Sequence, residues 1–355
     1  MSSLSVAIAL PAVVAVVVLV ARDVLVGSRA ALAGVGASVL SLLLLVGVWA
    51  RRGSAAYAGE TDVRWTGVLD IRWHVGLDGI SYPLALLTVV LSALVCWALV
   101  DDAPEGDNAP SVLVALVLVI ETASLGVFAA LDLLLFFVFF ELALIPMWFV
   151  IARWGDPHDP DGRRRAATRF LLFTVLGSAL MLVGFVVVGL QGGTLQIPAL
   201  AAREVPLTGG AALLGAVAIA VGLAVKAPVW PLHIWLPDAH SKAPTVGSVL
   251  LAGVFLKLGT YGLVRVLVSI LPVPSADLAP WLGALGVVGI LYASVACLRQ
   301  RDLKRLIAYS SVGHMGFVVL GIATMSDLGV AAAIFASVAH GLITGLLFFN
   351  AGSFK

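Results

Sequence analysis

The sequence predicts an all-α fold, a polytopic transmembrane bundle of about eleven spans, and three observations carry that expectation. Only 12% of the 355 residues are charged and 61% are hydrophobic, whereas water-soluble domains carry roughly 25% charged residues. Mean hydropathy is +1.10. Apolar runs recur at about 20 residues, the length that crosses a hydrocarbon core of roughly 30 Å as a helix. The runs lack the short alternation of outer-membrane strands, so helices rather than a barrel follow.

Taken in order, the spans fall at 4–22, 30–50, 80–100, 111–130, 132–153, 168–190, 209–232, 244–268, 279–298, 303–323 and 327–350. The first lacks a basic start and a small-residue cleavage site, and further spans follow it, so it reads as a span and not a signal peptide. Loop 51–78 carries mixed charge, and loop 101–107 is acidic through Asp101, Asp102, Glu105 and Asp107. Two loops are basic: Arg153 with Arg163, Arg164, Arg165 and Arg169, and Arg299 with Arg301, Lys304 and Arg305. They stand four spans apart and so share one side, which the positive-inside rule assigns to the cytoplasm. The N-terminus is then expected outside and Lys355 inside; loop 51–78, with its four arginines, runs against the rule.

Composition also excludes. A net charge of +1 gives no footprint for nucleic acid. Cys96 and Cys297 lie far apart in separate apolar segments, with no disulfide, iron–sulfur or zinc spacing. No phosphate-binding or dinucleotide fingerprint is present, so no cofactor is expected on this chain.

Charges inside spans carry the functional reading. Glu121, Glu141, Lys226 and Lys257 each cost roughly 2.5–3.5 kcal/mol at a helix centre on insertion scales. At a rise of 1.5 Å per residue, Glu141 lies roughly 14 Å deep, near mid-membrane, and Lys257 sits comparably in its span. One reading pairs Glu141 with Lys226 or Lys257 as a structural salt bridge, although desolvation can exceed the attraction in such pairs. The other reads them as a proton relay, the default for ionisable groups at this depth. Glu121 stands as an auxiliary member.

Lys226 opens a stretch with Pro228, Pro231 and Pro237, three prolines in ten residues, through which no uninterrupted helix can run. Broken backbone inside a bilayer is tolerated where protein or a water-filled cavity satisfies it, an arrangement that lines ion paths. The alternative is an ordinary span end with interfacial prolines. His233 is close enough in sequence to pass protons under either reading. His314 and His340 fall near the middle of spans ten and eleven, where imidazole can shuttle protons, hold haem axially or simply pack.

These residues lie in longer motifs. Phe140-Glu141-Leu142-Ala143-Leu144-Ile145-Pro146-Met147, the run from Lys226-Ala227-Pro228 through His233-Ile234-Trp235-Leu236-Pro237-Asp238-Ala239-His240 to Lys257, Asp302 to Gly316, and Ala339 to Gly345 resemble the antiporter-like subunit M, or chain 4, of NADH–quinone oxidoreductase (complex I). His74-Val75-Gly76-Leu77-Asp78-Gly79-Ile80-Ser81 fits as well, so the resemblance runs from about residue 70 to 348. It implies a single membrane domain: spans one to three in 1–110, a first inverted repeat in 111–270 with a broken helix at span seven, and part of a second in 277–350. It implies a bacterial inner-membrane subunit that moves protons along Glu141, Lys226 and Lys257, joined by His233, His314 and His340. Other membrane-arm subunits, lipid and internal water are the implied partners, and NADH, FMN, iron–sulfur clusters and quinone are implied in partner subunits. The family pattern has three further C-terminal spans, which this sequence is expected to lack. Subunits of multisubunit cation/proton antiporters and of membrane-bound hydrogenases are the alternative, and a scaffold whose charges merely pair is another.

Overall fold

A computed structural model describes residues 2–66, 71–101 and 109–353; Asp70, Asp102, Glu105, Asp107 and Lys355 lie outside the described residues. Among the described residues, eleven helices are long and apolar enough to cross a membrane. Spans one to four are α1 (Ser3–Val20), α2 (Ser28–Ala50), α3 (Ser81–Asp101) and α4 (Ala109–Ala129). Span five divides into α5 (Leu133–Leu142) and α6 (Leu144–Trp154). Span six is α7 (Pro160–Gly192), followed by the short α8 (Ile197–Ala201). Span seven is α9 (Gly209–Lys226), with α10 (Trp235–Lys242) beyond a non-helical segment. Span eight joins α11 (Thr245–Leu250) and α12 (Leu256–Gly262) to π-helical segments Leu251–Phe255 and Leu263–Val268. Then come α13 (Pro272–Cys297), α14 (Leu303–Ala323) and α15 (Asp327–Ser353).

Five details differ from the sequence expectation, one being that span nine starts at Pro272 instead of 279. Span five, expected continuous over 132–153, is interrupted at Ala143. Pro146 explains the break, since it offers no N–H to the Leu142 carbonyl and its ring crowds that turn. Span six starts at Pro160 instead of 168, so Arg163, Arg164 and Arg165 lie in its first turns and not in a loop. The Asp159 side chain caps it by accepting from the Gly162 N–H at 2.9 Å, and Pro160 occupies a position where a missing donor costs nothing. Span seven ends as a helix at Lys226, short of 232. Loop 51–78 contains a hairpin of β1 (Ala58–Arg64) antiparallel to β2 (Arg72–Leu77), with Thr61 opposite Val75 and Val63 opposite Trp73.

Span eight is buried from Val246 to Leu267. Its approach to α9 needs a glycine: a Cβ at Gly259 would stand 2.5 Å from the backbone nitrogen of Ala227. The two basic segments meet on one face around α10. Asp238 pairs with Arg169 and, at 3.2 Å, with Arg305. Lys242 reaches Asp156 at 3.1 Å and Asp159 at 2.7 Å.

Candidate functional site

The break in span seven is built locally. Pro228 cannot donate to the Ala224 carbonyl, which accepts from the Val229 N–H at 2.9 Å instead. The chain then leaves the helical path through residues 227–234 before α10 begins. Trp235 ties the two pieces together, its indole N–H donating to the Val225 carbonyl at 2.9 Å. Lys226 therefore sits on the last helical turn, buried, with its ammonium turned inward. Among the described residues it makes no hydrogen bond; its Nζ faces the rings of Phe255 at 4.6 Å, Phe140 at 4.8 Å and Phe170 at 5.9 Å.

Glu141 is half-buried in the last turn of α5, beside the Ala143 interruption. Among the described residues no ion pair within 4.0 Å joins it to Lys226 or Lys257, so the closed salt bridge that one sequence reading offered is not formed.

Lys257 is fully buried between the two π-helical segments. Such segments are frequent at functional sites because they offset the carbonyl ladder. The Lys257 ammonium donates to the Ala252 carbonyl in the first of them. Its Nζ also stands 2.7 Å from Nδ1 of His340 on span eleven, while His340 Nε2 has no hydrogen-bond partner among the described residues. With an ammonium donating, His340 Nδ1 is the acceptor and the imidazole is neutral. The His314 ring lies 5.3 Å from that of His340 at 49°, closer than a macrocycle between them would allow. His314 is exposed on the chain surface, and its Nδ1 lies 2.8 Å from the Ser310 carbonyl.

The other two candidates stand outside this hydrogen-bonded contact. His233 is buried, its ring edge-on to Tyr292 at 5.1 Å; among the described residues its Nδ1 has no partner and no hydrogen bond links it to Lys226. Glu121 is fully buried in span four, where Ser38 of span two donates to its Oε2 at 2.6 Å.

Two groups escaped sequence reasoning. His240 is completely buried on α10, stacked on Phe348 at 4.5 Å and 9°, with neither ring nitrogen hydrogen-bonded among the described residues. Its place in the proline-rich motif was a usable signal, but α10 looked like an interfacial loop. Lys304 reads as a loop cation yet is buried, donating to the Ala243 carbonyl at 2.9 Å. It lines a cavity of about 560 Å³ together with Asp156, Thr245 and Phe349. Among the described residues, no group of three or more His, Cys, Asp or Glu side chains could hold a metal ion.

The fold is that of a polytopic helical membrane protein with a broken helix in its interior. Residues 130–355 match the family described as NADH:quinone oxidoreductase/Mrp antiporter, transmembrane, and the chain belongs to that family. It is 40% identical over 301 residues to NAD(P)H-quinone oxidoreductase chain 4 3 of Trichormus variabilis, covering 84% of this chain and 54% of the relative. Likewise, it is 40% identical over 302 residues to the chloroplastic chain 4 of Cryptomeria japonica, covering 83% and 58%. The chain thus spans about half the length of the curated relatives it matches. In structure it superposes on a chain of respiratory complex I from Thermus thermophilus with TM-score 0.86 and 31% identity, covering 99% of this chain and 71% of that one. A chain of the archaeal membrane-bound sulfane sulfur reductase has TM-score 0.85 at 24% identity, covering 99% and 70%, a likeness of fold.

Proposed function

We propose that this chain is a proton-translocating membrane subunit of an NADH–quinone oxidoreductase. Protons move along Glu141, Lys226, Lys257, His340 and His314, with His233 and Glu121 as side branches, driven by redox chemistry elsewhere in the complex. The observation that carries this reading is the Lys257–His340 contact of 2.7 Å on a fully buried span, where a cation is held without a carboxylate. A neutral imidazole accepts from an ammonium, so a proton can pass between two groups that burial keeps apart from bulk water. NADH, FMN, iron–sulfur clusters and quinone belong to partner subunits on this reading. The complex sits in a bacterial inner membrane, with the basic face around α10 in the cytoplasm and the N-terminus outside. Residues 111–270 form the first repeat and 277–350 part of the second.

Glu141→Gln in the assembled complex tests this. Redox-driven proton transport is expected to be abolished while assembly is kept, and undiminished transport would contradict the reading. The family description also includes Mrp antiporters, which supports a second reading as a cation/proton antiporter subunit. That reading expects sodium- or potassium-coupled proton flux from the isolated chain in liposomes.

A further inference from the structure

We propose that Phe140, Phe170 and Phe255 are positioning residues whose ring faces together hold the Lys226 ammonium at the break in span seven, where it makes no hydrogen bond among the described residues. The three rings come from spans five, six and eight and converge on the last turn of α9. All three distances, 4.6, 4.8 and 5.9 Å, fall within the roughly 6 Å over which a ring quadrupole attracts a cation. Each ring is itself buried, so water screens the attraction little.

The placement links the cage to the rest of the site. Phe140 precedes Glu141 at the interruption of span five, and Phe255 closes the first π-helical segment below Lys257. Phe170 packs against Trp235 at 5.3 Å, and Trp235 bridges the break. An aromatic face stabilises positive charge but offers no lone pair, so it holds an ammonium without taking its proton. The proton therefore stays on Lys226 until the side chain meets a true acceptor such as Glu141 or a water. This deepens the proton-transfer reading and rests on it for the transport measurement only.

The test uses the full chain in the assembled complex, with 4-fluoro-, 3,5-difluoro- and 3,4,5-trifluorophenylalanine placed at position 255. Fluorine drains the ring face of negative potential while nearly keeping its volume. Proton transport is expected to fall stepwise, by roughly tenfold across the series. A flat series, in a complex where Glu141→Gln does abolish transport, would overturn the positioning role. A second arm reads the cage without transport: the chain labelled with ¹³Cε-lysine in detergent micelles. The ε-methylene protons of Lys226, assigned with Lys226→Arg, are expected upfield of the other lysines through ring currents and to move downfield in Phe255→Leu. An unshifted Lys226 signal would overturn the cage whatever transport does. If the upfield signal stands while Glu141→Gln still transports, the cage holds and the proton reading is what fails.

Discussion

Lys257 and Arg265 stand eight residues apart on the same buried span, and both are basic side chains with almost no exposure. Arg265 is fully answered: its Nη2 meets Asp78 at 2.5 Å and its Nε donates to the Tyr261 hydroxyl at 3.0 Å. Tyr261 in turn donates to the Phe128 carbonyl at 3.0 Å. Lys257 has a carbonyl and a neutral imidazole, with no carboxylate in contact among the described residues. A buried cation with a matched anion is a structural clamp, and removing one partner leaves the other uncompensated. A cation held only by neutral acceptors keeps its proton exchangeable. The difference teaches which buried charge fixes the fold and which can work.

The largest way to break the contrast is Asp78→Asn. It leaves Arg265 buried without its anion, and a loss of about 3–5 kcal/mol in stability is expected, read as a lowered unfolding midpoint in detergent. Stability unchanged within error would mean that the Arg265 pair is no clamp.

Acid sharpens the same point. Burial works to raise the Asp78 carboxyl, but the Arg265 charge and hydrogen bond, helped by the Ser81 and Ile80 N–H groups, outweigh it and hold it below its ordinary value. A carboxyl depressed in the fold stabilises above its unfolded pKa of about 3.9 and loses that contribution as pH falls through the folded value. The thermal midpoint should therefore drop in a step below about pH 4, and Asp78→Asn should lack its share of that step. Identical acid profiles for the two proteins would count against the assignment.

The smallest expected effect lies on the hairpin, where Arg72 Nε donates to Asp62 at 2.6 Å with both side chains partly exposed. The hydrogen bond from Arg72 holds the Asp62 carboxyl below its ordinary value. Water and salt screen such a pair, so Asp62→Asn should cost about 0.2–1 kcal/mol, with the difference shrinking in high salt. A cost comparable to that of Asp78→Asn would erase the distinction between exposed and buried pairs.

What was legible in the sequence follows from what a bilayer penalises. Glu141, Lys226 and Lys257 announce themselves because charge in an apolar run is expensive, and the break after Lys226 because three prolines cannot share a helix. The interruption at Ala143 had a signal in Pro146 that the apolar run around it masked. Arg265 was hidden near the end of its span, where arginine raises no alarm, and its partner Asp78 is 187 residues away. The hairpin was written in the alternation of Val63, Trp65, Ile71, Trp73 and Val75, interleaved with charges that read as loop. The π-helical segments and the cage around Lys226 have no local signature, since both arise from how neighbouring spans press on one another. The Lys257–His340 contact is of that kind too: depth placed each residue near mid-membrane, but only packing brings them within 2.7 Å.

Lys257→Met in the assembled oxidoreductase tests the central claim most directly. Redox-driven proton transport and thermal unfolding are measured on the same preparation. Because the change removes a charge that no anion balances, the unfolding midpoint is expected to hold or rise, while proton transport falls at least tenfold. Full transport with the lysine gone would contradict the account.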